Sequence, residues 1–80
     1  MSAERICWAS DQRGISPLAK LLLIRLADVS GMDDAVDWRP FEAASYCGVK
    51  VDEIGVALGD LVDAGLAAFE EGRLRLTFDR

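Results

Sequence analysis

The sequence of 80 residues contains no histidine, and this absence narrows the chemistry open to the chain. Catalytic triads and dyads that use an imidazole are excluded. The chain also lacks a glycine-rich phosphate loop, and neither of its cysteines has an evident activating base. We therefore expect no enzymatic activity, no bound cofactor and no small-molecule substrate.

Cysteine is scarce, because Cys7 and Cys47 are the only two. They form neither a C-x-x-C pair nor a spacing typical of metal ligands. The two thiols can pair, but nothing in the sequence suggests secretion, so we expect free and mostly buried thiols. The acidic loop of Asp33, Asp34 and Asp37 lacks the glycine and the terminal glutamate of a calcium loop, so no metal site is predicted.

Long hydrophobic runs are missing as well. No run exceeds four residues, and the one from Leu21 to Ile24 is far too short to span a membrane. Near the N-terminus, Glu4 and Arg5 stand where a signal peptide needs an unbroken apolar stretch. No repeat or linker divides the chain. We expect one domain over residues 1–80, located in the cytoplasm and not in a membrane.

Positive charge is in short supply, with 9 lysines and arginines against 14 aspartates and glutamates and a net charge of −5. A surface with this balance does not attract phosphate as a whole. A local basic patch is still compatible with the totals. The composition therefore lowers the expectation of DNA binding without removing it.

The sequence does contain clear helix signals, first in residues 15–31. Ser16 suits the N-cap, Pro17 suits the first helical position, and Gly31 can end the helix. Lys20 and Asp28 lie on the polar side. One apolar face, widened by Leu23, is predicted to face the core, and its members are Leu18, Leu21, Leu22, Leu26 and Val29.

Two further helices are predicted. The second is opened by Pro40, covers roughly residues 41–47 and is stopped by Gly48. The third covers about residues 51–64 and ends at Gly65. Its buried stripe follows the helical repeat and consists of Ile54, Ala57, Leu58, Leu61 and Val62.

The remaining segments favour short strands. Residues 36–38 fit one strand, and residues 66–69 and 74–78 flank the turn at Glu70, Glu71 and Gly72 as a hairpin. The order predicts a mainly α fold with a small β-hairpin, namely a winged helix-turn-helix of three helices and a wing. The aromatic residues follow element boundaries, so we expect core or staple positions for Trp8, Trp38, Phe41, Tyr46, Phe69 and Phe78.

Several stretches resemble the N-terminal winged helix-turn-helix domain of phage and plasmid replication-initiator-like and regulator proteins. They are Trp8, "SPLAKLLLIRLAD" at 16–28, "WRP" at 38–40, "AASYCGV" at 43–49 and "IGVALGDLVDAGLA" at 54–67. The resemblance spans most of the chain. It implies a mobile-element origin and a role in replication, transcription or another DNA transaction.

The departures from that family fall in the helix that would read DNA. Lys50 stands where the family has a capping serine, residues 51–53 replace two arginines and a threonine, and Val56 replaces a later arginine. Base readout needs donors such as arginine, lysine, asparagine and glutamine, and among these residues 48–65 offer only Lys50. Gly55 and Gly59 lie four residues apart on the same outward side.

Two hypotheses follow. The first is a small non-catalytic module that contacts a protein, or a second copy of itself, through the acidic third helix. The residues of this contact are Asp52, Gly55, Val56, Gly59 and Asp63. The second is a DNA-binding regulator or initiator domain that contacts phosphates through the wing and the helix ends, using Lys20, Lys50, Arg73 and Arg75.

Overall fold

Four helices and three short strands follow one another along residues 3–78, the part of the chain that the computed structural model describes. The fold is mainly α with a small antiparallel sheet, as predicted, but it has one helix more than the sequence indicated. The elements are α1 (Ala3–Ser10), α2 (Pro17–Val29), β1 (Ala35–Val36), α3 (Pro40–Cys47), α4 (Val51–Asp63), β2 (Ala67–Glu70) and β3 (Arg73–Leu76).

The start of α2 follows directly from its first residues. The Ser16 hydroxyl accepts a hydrogen bond of 3.1 Å from the backbone N–H of Ala19, and Pro17 occupies the first turn, where its missing N–H costs nothing. The helix ends at Val29, before the predicted Gly31. Gly31 instead belongs to the next loop, where its N–H donates to the Ala35 carbonyl at 3.0 Å.

Glycines in the left-handed conformation end the next two helices, as predicted. Gly48 follows α3 with φ of 72°, and Gly65 follows α4 with φ of 76°. A residue with a Cβ adopts this conformation at a cost, which is why glycine is favoured there. Only residues 48–50 separate α3 from α4, so the two helices are joined by a tight turn.

The predicted hairpin is completed by a third strand. In the sheet the order is β1-β3-β2, with β3 antiparallel to both neighbours. Glu71 and Gly72 form the hairpin turn with φ of 54° and 78°, which matches the type I′ turn that suits twisted strands. The first strand covers 35–36 rather than the predicted 36–38, and β3 ends at Leu76 rather than Phe78.

The helix α2 lies at the centre of the core and contacts α1, α3 and α4. Leu22, Leu23 and Leu26 of its predicted face are buried. Leu21 and Val29 are 38% and 46% exposed, and Val62 of α4 is 39% exposed, so all three predicted core positions are wrong. The largest side chains that are fully buried are Leu22, Leu23, Ile54, Leu61 and Leu74.

The aromatic residues divide into two groups. Trp8, Trp38 and Phe78 pack against the core, as expected. Phe41, Tyr46 and Phe69 are 78%, 49% and 54% exposed, so their predicted core placement is wrong. Phe41 lies in the first turn of α3, Tyr46 stacks under the guanidinium of Arg25, and Phe69 lies near the hairpin turn.

The additional helix α1 is held in place by one arginine. The Arg5 guanidinium donates to the Ser30 hydroxyl, the Gly31 carbonyl and the Asp34 carboxylate, each at 2.8 Å. It also lies 4.5 Å from the centre of the Phe78 ring. Trp8, one turn further along, meets the same ring edge-on at 4.8 Å. We call this set of contacts the Arg5 clamp.

Candidate interaction surface on α4

The five residues predicted for protein contact lie together on the solvent side of α4. Asp52, Gly55, Val56, Gly59 and Asp63 are all exposed, and Val56 is 69% exposed. Spacings of three and four residues place them along one side of the helix. The opposite side is buried and consists of Ile54, Ala57, Leu58 and Leu61. We call the exposed set the α4 outer face.

The two glycines of this face are not required by the packing of the chain. A Cβ built on Gly55 or Gly59 would meet no atom within 4 Å, and neither residue has a positive φ. Each glycine inside a helix costs roughly 1 kcal/mol relative to alanine. Their presence lowers the surface of the helix on both sides of Val56 and leaves the backbone accessible.

The carboxylates of α4 are not neutralised by the chain. Asp52, Glu53, Asp60 and Asp63 form no ion pair within residues 3–78, whereas six ion pairs neutralise acids elsewhere. The Glu53 carboxylate accepts the backbone N–H of Lys50 at 3.1 Å and so caps the helix start. The helix therefore presents unbalanced negative charge to the solvent.

The cations predicted for phosphate contact are dispersed over three elements. Lys20 belongs to α2, where it is half-buried, and Lys50 is exposed just before α4. Arg73 and Arg75 lie on the same face of β3, since they are two residues apart in a strand. Lys20 and Lys50 form no ion pair within the described range, but both arginines do.

Both arginines of the hairpin form ion pairs with acidic side chains. Arg73 pairs with Asp33 at 3.0 Å and with Asp37 at 3.8 Å. Arg75 pairs with Glu70 at 3.0 Å and also donates to the backbone carbonyl of Asp33. Exposed pairs of this kind are worth only about 0–1 kcal/mol, yet they cancel the local positive charge. The hairpin therefore presents no basic ridge.

Asp33 connects the loop before β1 to the hairpin. The pKa of its carboxyl lies below the ordinary value of 3.8, first because it accepts the backbone N–H of Ala35 and then because Arg73 and Arg75 are near. A carboxyl whose pKa is lower in the folded state stabilises the fold above its unfolded pKa. This contribution is lost as the pH falls through the folded pKa.

We expect Asp33→Asn to flatten the acid side of the stability profile. The wild type should lose stability as the pH falls below about 4, and the variant should lose less over the same interval because it has no carboxyl to protonate. Urea unfolding at a series of pH values measures this difference. Asp11→Asn, at an exposed acid without an ion pair in the described residues, is the control and should keep the wild-type slope.

A groove of about 330 Å³ lies between α2, β1 and α3, with Leu26, Val36 and Ala43 among its apolar lining. Arg39 at its edge pairs with Glu42 at 3.0 Å, which raises the pKa of the guanidinium. Arg73 reaches the edge from the hairpin. Since these guanidinium groups already have carboxylate partners, the groove presents little free charge to a ligand.

Both cysteines are free thiols, as expected, but only one is shielded. Cys7 is exposed, which contradicts the predicted burial, and Cys47 is half-buried. Burial raises the pKa of the Cys47 thiol, so it is mostly protonated at neutral pH. Within residues 3–78, no cluster of three acidic or cysteine side chains could hold a metal ion. None of the helices in this range has the length and apolar character of a membrane span.

The chain was compared with protein-family models, with curated proteins and with solved structures, and none of the three comparisons found a match.

Proposed function

We propose that the chain is a winged helix-turn-helix module that acts without catalysis, through protein contact by the α4 outer face. The element order supports this fold, because β1 lies between two helices and joins the hairpin as a third strand. The turn at 48–50 supports it as well. Helix-turn-helix motifs join their helices by three or four residues that often include glycine.

In this interpretation α4 takes the place of the recognition helix, and it has lost the means to read DNA. The observation that carries the proposal is its outer face, which combines an exposed valine, two accessible glycines and carboxylates without cations. Direct readout needs donors aimed at base edges, and phosphate contact needs cations. The proposed role is in a DNA transaction such as replication or transcription control, which the family resemblance implies.

Titration with mixed-sequence duplex DNA across a salt series tests the proposal. We expect no binding even at low salt, because α4 carries four unpaired carboxylates and the hairpin arginines are already paired. Binding that weakens steeply with salt would show phosphate neutralisation and overturn the proposal.

Charge reversal then identifies the surface used if DNA does bind. Arg73→Glu combined with Arg75→Glu removes the phosphate contacts of the hairpin, while Val56→Glu changes only the α4 outer face. Loss of DNA binding in the first variant, with retention in the second, would establish the hairpin as the DNA contact. Circular dichroism of each variant confirms that the fold is intact.

A further inference from the structure

We propose that the occupant of the α4 outer face is a cationic amphipathic helix of another protein. This inference rests on the proposed function and adds the chemical class of the partner. It starts from the contrast in charge on the surface. Six acids of residues 3–78 pair with arginines, whereas all four carboxylates of α4 are without an ion pair in this range. Glu4, Asp11 and Glu71 are also unpaired within these residues but lie outside α4.

The shape of the face fits a helix. Val56, 69% exposed, is an apolar centre, and Gly55 and Gly59 lower the surface beside it. The distance between packed helices depends on the side chains at the contact, so two glycines permit a close approach. A partner helix can therefore place a small apolar side chain against each glycine and a longer one against Val56.

The positions of the carboxylates fit lysine and arginine side chains that flank such an apolar seam. Asp52 and Asp63 lie at the two ends of the face. Asp60 lines two shallow hollows between α4 and the start of α2, one shared with Asp63 and the other with Glu53. Long cationic side chains from a partner would reach these carboxylates from the edge of the contact. Charge complementarity of this kind steers encounter and selects the partner.

The same charges disfavour a second copy of the chain as the occupant. A two-fold contact brings the same patch of both copies together. Two α4 helices packed antiparallel about Gly55 and Gly59 would place Asp52 of one copy near Asp63 of the other. Lys50, the N-cap residue of α4, would offset only part of this repulsion, because it is one cation against the four carboxylates that each helix carries. We therefore expect the protein to be monomeric.

The experiment uses the full chain, isotope-labelled, and a synthetic helical peptide with leucine on one side and lysine and arginine on the other. Backbone amide resonances report where the peptide binds. We expect shifts confined to residues 51–63 and to the adjacent start of α2, which weaken as salt is added. A peptide with glutamate in place of every lysine and arginine is the first control.

Two variants of equal net charge distinguish binding at α4 from a general attraction between the peptide and an acidic protein. The first variant combines Asp52→Asn, Asp60→Asn and Asp63→Asn. It should bind the cationic peptide about tenfold more weakly, because three charge pairs are lost. Glu4→Gln with Asp11→Asn and Glu71→Gln removes the same charge elsewhere and should change affinity by less than about twofold. Equal losses in both variants would overturn the inference, because net charge alone would then explain binding.

The remaining outcomes distinguish the inference from the proposed function. If the anionic peptide shifts α4 instead, or if α4 amides shift with protein concentration alone, the surface is a protein contact but the cationic class is wrong. If the cationic peptide shifts only residues outside α4 and the start of α2, the inference fails, and the proposed function is then decided separately by the DNA titration.

Discussion

We expect Arg5→Ala to lower the free energy of unfolding by about 2 kcal/mol, a large effect for one residue outside the core. Its side chain is only 25% exposed and makes three hydrogen bonds to the segment 30–34, one of them to a carboxylate. Hydrogen bonds with a charged partner contribute more than neutral ones, and the stacking on Phe78 adds a cation–π contribution. Asp34 is 40% exposed, so its share is small.

Urea denaturation measures this loss, and hydrogen exchange locates it. The amides of α1 should exchange faster in Arg5→Ala, since the clamp attaches this helix to the segment 30–34. Arg5→Lys keeps the charge but cannot make the forked contacts, so it should restore less than half of the lost stability. Arg13→Ala, at an exposed arginine without an ion pair in the described residues, should change stability by less than about 0.5 kcal/mol. If Arg5→Ala and Arg13→Ala behave alike, the clamp does not stabilise the fold.

The clamp also explains why α1 was not predicted. The segment Ala3–Ser10 contains no proline, and Ala9 is its only fully buried residue. Eight residues rarely form a helix on local propensity alone. The stabilising contacts come from positions 25 to 29 residues away in the sequence for Arg5, and from Phe78 for Trp8. A local pattern carries no information about such contacts.

The other three helices were predictable because residues at their own ends determine where they begin and stop. Ser16 with Pro17, Pro40 with Gly48, and Gly65 each act within one turn of their own helix. Periodicity indicated the inner side of α4 except at Val62, and that of α2 except at Leu21 and Val29. A helix contacted by α1, α3 and α4 buries the residues that its neighbours cover, and the positions of those neighbours are not local information.

In the candidate surface, too, some features followed from the local sequence and others depended on contacts between distant residues. Exposure of the α4 outer face followed from helical spacing once the buried stripe was identified. The pairing of the hairpin arginines did not, because Arg73 and Asp33 are 40 residues apart and meet only through the pairing of β1 with β3. The cations predicted for phosphate contact therefore included Arg73 and Arg75, whose charges the fold pairs with acidic side chains.

Gly55→Ala combined with Gly59→Ala should raise the free energy of unfolding by about 2 kcal/mol. Both sites are exposed and helical with open space around a new Cβ, so each substitution removes the flexibility cost of glycine without creating a clash. The melting temperature should rise by roughly 10 °C for a domain of this size. Calorimetry measures both quantities.

Gly65→Ala is the matched control, because it makes the same chemical change in a different backbone conformation. Its Cβ would also meet no atom within 4 Å, but its φ of 76° is one that alanine adopts only with strain. We expect a loss of about 1 kcal/mol at this site. A gain at Gly55 and Gly59 together with a loss at Gly65 would show that backbone conformation, and not surface packing, sets the sign.

A further substitution at Gly59 tests whether this glycine, which lowers the stability of the fold, is needed for binding the peptide. Leucine is nearly as good a helix former as alanine, so Gly59→Leu should also stabilise the chain, while its side chain fills the low surface beside Val56. We expect this variant to bind the cationic helical peptide about tenfold more weakly although every charge is retained. If Gly59→Leu is stabilised and binds as tightly as the wild type, close approach at α4 is not used, and the two glycines persist without a role in recognition.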